Sequence, residues 1–183
     1  MNHTGTQPIE TERLLLRRYQ PTDAEPAFRN WMSREKVTRY MTWQPYTSLD
    51  DVKGYIQYVI DSYEKPDTYY WVLEYKETHE VIGSISVIWL NEETSCAEIG
   101  YCLSDLYWGK GLMPEALSAV IRYLFDRVGL NRIQATHDVN NPNSGRVMEK
   151  CGMLYEGVMH QASRNNQGIV DSAIRAILKS DLS

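Results

Sequence analysis

Hydrophobic residues recur every three or four positions behind a short glycine loop and predict one long helix. Pro114 suits the first turn of this helix, where a missing N–H costs nothing, and Gly129 closes it. The glycine loop, Gly109-Lys110-Gly111, lets the backbone turn tightly before the helix. First-turn N–H groups have no partner inside a helix and lie at its positive end, so this junction predicts an anion site that a diphosphate would fit. The apolar face of the helix consists of Leu117, Val120, Ile121, Leu124, Phe125 and Val128.

Two shorter helices are predicted upstream. Thr22, followed three residues later by Glu25, has the capping-box pattern that opens a short helix. Ser48 opens a second helix, whose apolar residues keep the helical period until Pro66. Between them lies a segment that we call the aromatic loop, Met41–Tyr46.

Apolar runs separated by polar turns predict about seven strands. The runs are Glu12–Tyr19, Tyr69–Tyr75, Val81–Leu90, Cys96–Leu103, Arg132–Val139, Met153–Ser163 and Ile169–Leu178. Short turns favour an antiparallel meander for the second to fourth runs and a closing hairpin for the last two. A further short helix, Asn143–Cys151, is ended by Gly152. The order of elements predicts one mixed α+β domain over residues 1–183, with a mostly antiparallel sheet and about four helices.

Composition narrows the class of protein. The chain has 183 residues, of which 43% are hydrophobic and 23% charged, as in ordinary soluble domains. No apolar run approaches the roughly 18 residues of a membrane span, and the N-terminus lacks an apolar signal region, so a cytoplasmic protein without membrane association is expected. The net charge of −5 argues against a nucleic-acid partner and is compatible with an amine-bearing substrate.

The cysteines and histidines predict no metal site. Cys96, Cys102 and Cys151 form no CxxC pair, and the four histidines make no paired-ligand pattern. The cysteines are therefore predicted to be buried small hydrophobic residues.

Two common phosphate motifs do not describe the glycine loop. It lacks the earlier glycine of a Walker A motif, and Pro114 stands where a dinucleotide fingerprint needs its third glycine. Alone, the loop could be a plain turn before a helix. A second strand-to-helix junction, Asn141 to Ser144, supplies amide and hydroxyl side chains that could equally be helix caps.

Together the two junctions resemble the GNAT family of acetyl-coenzyme A (acetyl-CoA) dependent N-acetyltransferases, and more closely its RimJ/RimL branch. Ala97–Leu103 is similar to the branch's fourth strand, Trp108–Ala116 to its pyrophosphate loop, and Asn141–Met153 to its Asn-x-x-Ser…Glu-Lys-x-Gly-Phe segment. The opening Thr11-Glu12-Arg13-Leu14-x-Leu16-Arg17 is also typical of the branch. The resemblance covers nearly the whole chain and implies a sheet splayed between the fourth and fifth strands.

The resemblance also implies a site for acetyl-CoA, the acetyl donor, without a metal. The pantetheine arm would lie in the splay, against the backbone of Tyr101, Cys102 and Leu103. Asn141 would bind this arm near the acetyl group, and Ser144 matches the serine that acts as acid toward the coenzyme A thiolate. The diphosphate would be held by backbone N–H groups, with a charge added by Lys110, in the segment Trp108, Gly109, Lys110, Gly111, Leu112 and Met113.

Two positions depart from the wider family. Leu106 stands where the loop usually begins with Gln or Arg, which is tolerable because the site works mainly through backbone. Met148 stands where many members carry a tyrosine acid, which leaves Ser144 as the acid candidate at this junction.

The implied reaction is direct attack of a neutral amine on the thioester, which requires a route for the amine proton. Glu98 is one candidate base, although it could equally be the partner of a surface Lys or Arg. His160 and a water chain are alternatives. The acceptor is expected to be a protein N-terminus or a small amine, bound near the aromatic loop by a monomer or homodimer. A coenzyme-binding module that has lost catalysis is the alternative function.

Overall fold

The computed structural model describes residues 1–182, whose strands form one eight-stranded sheet in the order β1-β2-β3-β4-β5-β6-β8-β7. The strands are β1 (Ile9–Glu10), β2 (Leu14–Arg17), β3 (Tyr70–Tyr75), β4 (Glu80–Asn91), β5 (Cys96–Leu103), β6 (Arg132–Asp138), β7 (Leu154–Asn165) and β8 (Gly168–Leu178). The α-helices are α1 (Ala24–Ala27), α2 (Glu35–Thr38), α3 (Leu49–Ser62), α4 (Leu112–Tyr123) and α5 (Pro142–Lys150). Only β5 and β6 pair in parallel, so the predicted α+β class with a mostly antiparallel sheet is confirmed, and the short β1 is the added strand.

Two hydrophobic clusters cover the two faces of the sheet. The cluster that contains Leu117 and Val120 of α4 also receives Ile99 from β5. The cluster on the other face contains Ile56 of α3 and receives Cys102 from β5. Because successive side chains of a strand point to opposite faces, Tyr101 shares the α4 face with Ile99, whereas Glu98 shares the α3 face with Cys102.

The gap implied between the fourth and fifth predicted strands lies between β5 and β6. These strands pair only over Cys96–Glu98 of β5 and Arg132–Gln134 of β6. β5 then continues to Leu103 with β4 as its neighbour, and β6 continues to Asp138 with β8 as its neighbour. The sheet is therefore splayed toward the carboxyl ends of both strands, where ligands of open sheets bind.

The first helical segment departs from the prediction. Residues 21–32 form a 3₁₀ turn, then α1, then a wider π turn, and the predicted Thr22 capping box is absent. The segment starts at Pro21 after the N-cap residue Gln20, and Asp23 holds this start because its Oδ2 accepts a hydrogen bond from Gln20 N at 2.7 Å and another from Arg17 Nη1 at 2.8 Å. The cap predicted for α3 is confirmed, since Ser48 Oγ accepts from Asp50 N at 3.2 Å.

Candidate active site

The glycine loop joins β5 to α4 through two residues in the left-handed region. Gly109 and Gly111 both have φ of +77°, which residues with a Cβ rarely adopt. The N–H of Glu115 makes a helical hydrogen bond to Gly111 O at 3.2 Å, so the N–H groups of Leu112 and Met113 precede the helical ladder. The side chains of Leu112 and Met113 are buried, which leaves only their backbone for a ligand. The predicted helix start is present, and its first-turn N–H groups have no partner within the helix.

Two side chains beside the glycine loop have partners of their own. The Trp108 indole N–H donates to Leu103 O at 2.8 Å, so this carbonyl, assigned by the resemblance to the pantetheine arm, already accepts one hydrogen bond. The Lys110 ammonium lies 4.9 Å from the centroid of the Tyr107 ring. This position keeps a positive charge beside the loop.

A pair of hydroxyl groups links β5 to α5. The Tyr101 hydroxyl lies 2.9 Å from Ser144 Oγ and also 2.9 Å from Ser144 O. Burial raises the pKa of Tyr101 above its ordinary value, so the phenol keeps its proton at neutral pH. The sequence predicts only the backbone of Tyr101 in the site, and a role for this side chain was not predicted. Tyr101 lies three residues beyond Glu98 on the same strand, so the two side chains point to opposite faces of the sheet. This alternation could have predicted a side chain in the site on the face opposite Glu98.

Asn141 and Cys102 contribute different groups to the gap. Asn141 occupies the N-cap position of α5, yet within residues 1–182 its side chain makes no capping hydrogen bond, so the amide is free for a ligand. Burial raises the pKa of Cys102 to about 12, which keeps its thiol protonated and leaves its backbone as the group available to a ligand.

Glu98 lies on the other face of the sheet and is held by neutral donors. Its Oε1 accepts from Thr136 Oγ1 and its Oε2 from Gln134 Nε2, both at 3.0 Å. Among the described residues its carboxylate is held by these two neutral side chains and not by Lys or Arg. The other candidate base, His160, has a side chain that is 81% exposed and lies 2.9 Å from Asp171 Oδ2, outside the cavity described next.

A cavity of about 400 Å³ passes between the separated strands and joins the two faces. Tyr101, Asn141 and Ser144 line it on the α4 face, and Glu98 lines it on the α3 face. The wall around Glu98 is aromatic and rich in hydroxyl groups, with contributions from Tyr19, Trp31, Tyr46, Tyr55, Tyr70, Ser84 and Ser86. Burial raises the pKa values of Tyr55 and Tyr70, whose hydroxyls contact each other, so both phenols keep their protons in this wall.

The tip of the β7–β8 hairpin closes one side of this cavity. Asn166 N donates to Met41 O at 3.1 Å, and its Nδ2 donates to Thr38 O at 2.9 Å and to Trp43 O at 2.8 Å. Its Oδ1 accepts from Gln44 Nε2 at 2.6 Å. A single side chain thus fastens the aromatic loop, which lines the cavity, to the hairpin.

Asp138, at the end of β6, supplies a second carboxylate to the cavity wall. Its Oδ1 accepts from Asn140 N and its Oδ2 from Asn165 Nδ2, each at 2.8 Å. Among residues 1–182 no three His, Cys, Asp or Glu side chains form a group that could hold a metal ion. None of the helices described is both long and apolar enough to cross a membrane.

Residues 13–154 match the family model described as the acetyltransferase (GNAT) domain. The chain therefore belongs to the GNAT family and is an N-acetyltransferase. It is 33% identical over 171 residues to an uncharacterized N-acetyltransferase of Bacillus subtilis (strain 168), YoaA, covering 93% of this chain and 96% of the relative.

Two solved structures illustrate the fold match. A GNAT-family acetyltransferase from Bacillus anthracis superimposes with a TM-score of 0.82 at 26% identity, covering 95% of this chain and 99% of that one. RimL, a ribosomal-protein alpha-N-acetyltransferase in complex with coenzyme A, superimposes with a TM-score of 0.84 at 21% identity, covering 94% and 98%.

Proposed function

We propose that this enzyme transfers the acetyl group of acetyl-CoA to a primary amine, which is either a protein N-terminus or a small amine. One observation carries the proposal. The cavity through the gap between β5 and β6 joins the hydroxyl pair of Tyr101 and Ser144 on one face to the Glu98 carboxylate on the other. A donor and an acceptor that enter from opposite faces would meet in this gap.

The α4 face fits the donor. The N–H groups at the glycine loop suit a diphosphate, since the positive end of α4 points the same way. The unpaired Asn141 amide and the separated edge of β5 suit the amide-bearing pantetheine arm. Acetyl-CoA supplies an activated thioester, whose thiolate departs as the amide forms.

The α3 face fits the acceptor. As the amine nitrogen forms its bond to the acetyl carbon, Glu98 takes the amine proton, directly or through water. Thr136 and Gln134 fix the carboxylate for this transfer. Ser144, held by Tyr101, hydrogen-bonds the departing thiolate as the carbon–sulfur bond breaks. The thiolate takes up one proton and the amine loses one, so the reaction consumes no net proton.

The size and chemistry of the cavity support a short acceptor. The cavity of about 400 Å³ also includes the donor side at Tyr101, Asn141 and Ser144, so only part of it is left for the acceptor, which suits a small amine or the first residues of a peptide. Two carboxylates, those of Glu98 and Asp138, line the cavity against one guanidinium, that of Arg164, and this balance favours an amine. The relation to RimL, whose described activity is on a ribosomal protein, supports the peptide N-terminus.

The decisive experiment is release of the coenzyme A thiol from acetyl-CoA over a panel of small amines and N-terminal peptides. Thiol release that depends on one acceptor class is expected, with acetylated acceptor as product. Tight acetyl-CoA binding without turnover on any acceptor would instead favour a coenzyme-binding module.

The Glu98→Gln variant tests the base. It should lower kcat/KM by about 10² or more while acetyl-CoA affinity is retained, because a general base affects the chemical step. Glu156→Gln is the matched control, since Glu156 pairs with Arg132 at 2.6 Å outside the cavity. Equal activity of Glu98→Gln and Glu156→Gln would remove Glu98 from the reaction.

A further inference from the structure

The glycine loop is tied to the start of β2 through Glu115, in the first turn of α4. Glu115 Oε1 accepts from Thr11 Oγ1 at 2.6 Å and from Arg13 N at 2.8 Å, and its Oε2 accepts from Arg13 Nε at 2.7 Å. The Glu115 side chain is only 17% exposed. Both carboxylate oxygens are therefore committed to residues about one hundred positions earlier in the chain.

The guanidinium of Arg13 extends this connection into the glycine loop. Arg13 Nη1 donates to Lys110 O at 2.9 Å, and Nη2 lies 3.6 Å from the place that a Cβ on Gly111 would occupy. One planar group thus binds the first helical turn and the peptide between the two glycines. A lysine, with a single ammonium, cannot make this forked contact.

The bond to Lys110 O determines where the next N–H points. In a trans peptide the C=O of one residue and the N–H of the next are directed oppositely. Since Arg13 fixes Lys110 O on the β2 side, the Gly111 N–H is turned away from β2. Gly111 is a glycine at φ of +77°, a position where the peptide would otherwise have freedom to flip.

Arg13 also balances the charge beside the loop. Burial alone would raise the pKa of Glu115, but hydrogen bonds from Thr11 and Arg13 outweigh it and keep the net pKa below its ordinary value. The carboxylate is therefore ionised next to an anion site. Without Arg13 it would repel a diphosphate.

We propose that Arg13 is a positioning residue for the glycine loop, holding the Gly111 N–H toward the diphosphate of acetyl-CoA and neutralising Glu115. This inference rests on the proposed function, because it takes the diphosphate as the ligand of the loop. It also gives a physical reason for the Thr11-x-Arg13 spacing in the sequence, since both residues bind Glu115 while Glu12 between them is exposed.

The test measures affinity and turnover separately. Arg13→Ala should raise the Kd and KM for acetyl-CoA by about tenfold or more while kcat at saturation and the acceptor KM stay within about twofold. Arg13→Lys should recover only part of this loss. S-acetylpantetheine, which has no diphosphate, should bind or react equally well with wild type and Arg13→Ala.

Arg17→Ala is the matched control. Arg17 lies at the end of β2, four residues after Arg13, and binds Asp23 at 2.8 Å and Glu74 at 2.7 Å, away from the loop. It should lower thermal stability and leave the acetyl-CoA Kd unchanged. The inference is overturned if folded Arg13→Ala binds acetyl-CoA as wild type does, or if it weakens S-acetylpantetheine equally. Failure of the wild-type protein to bind acetyl-CoA would instead overturn the proposed function.

Discussion

The Tyr101 hydroxyl on β5 lies 2.9 Å from Ser144 Oγ in the first turn of α5. Because Tyr101 also contacts Ser144 O, its phenol fixes both the side chain and the main chain of this residue. The two hydroxyls therefore form one unit rather than two independent groups.

Removal of either hydroxyl should lower turnover more than donor affinity. Tyr101→Phe and Ser144→Ala are each expected to lower kcat by roughly tenfold, because each loses a hydrogen bond needed as the thiolate departs. Steady-state kinetics and calorimetric titration with acetyl-CoA measure the two effects. The double variant should be little worse than either single one, since coupled residues are not additive. Multiplicative losses would mean that the hydroxyls act separately.

A side chain at Gly111 should abolish acetyl-CoA binding without unfolding the protein. Gly111→Val places a β-branched residue at φ of +77°, which strains the loop and displaces its N–H groups. Gly129→Val is the matched control, because Gly129 has φ of +82° at the opposite end of the same helical segment. Both variants should lose thermal stability, and only Gly111→Val should lose binding by calorimetry. Unchanged binding by Gly111→Val would refute the assignment of the loop.

Loss of the Asn166 side chain should loosen the aromatic loop. Asn166→Ala removes hydrogen bonds to Thr38 O, Trp43 O and Gln44 Nε2, and should raise the acceptor KM by about tenfold with the acetyl-CoA Kd unchanged. Gln167→Ala is the control at the same tip, since Gln167 Nε2 makes only a 3.4 Å contact with Arg39 O. Equal acceptor KM values for the two variants would argue that the tip plays no part in acceptor binding.

Acid should weaken the contact between α2 and the turn before the glycine loop. Hydrogen bonds from Arg34, at 2.5 and 3.0 Å, hold the pKa of Asp105 below its ordinary value of 3.8. A carboxyl whose pKa is lower in the folded state stabilises it above the ordinary pKa and loses this effect as the pH falls through the folded pKa. The difference in unfolding free energy between wild type and Asp105→Asn should therefore have its largest value at pH 7 and decrease below about pH 4. Urea unfolding at several pH values measures it, and a constant difference would contradict the assignment.

Most features of the fold that were predicted correctly depend on residues close to one another in the sequence. Gly111 and Gly129 bound α4 together with its π-turn extension, and Ser48 caps α3, because each acts within a few residues of itself. The Thr22 capping box failed because Asp23 accepts hydrogen bonds from Gln20 N and from Arg17, a competing local arrangement that places the cap at Gln20.

Three of the site contacts that escaped prediction join residues distant in sequence. Tyr101 and Ser144 are 43 residues apart, and Arg13 and Glu115 are 102 apart. Asn166 reaches Gln44 across 122 residues, and the β7–β8 register shifts between Met159 and Ser163. Such pairs depend on strand register and hairpin length, which a periodic pattern does not determine.

The separation of β5 from β6 leaves two blocks of sheet joined by three residue pairs. Under the proposed function, their facing edges carry peptide groups that a bound pantetheine arm would satisfy much as an inserted strand would. Occupancy and unfolding are then linked: at a ligand concentration 100 times Kd the folded state gains about 2.7 kcal/mol. In a cell rich in acetyl-CoA the enzyme would therefore unfold less often than the purified apoprotein and would be cleaved more slowly by proteases that act on the unfolded chain.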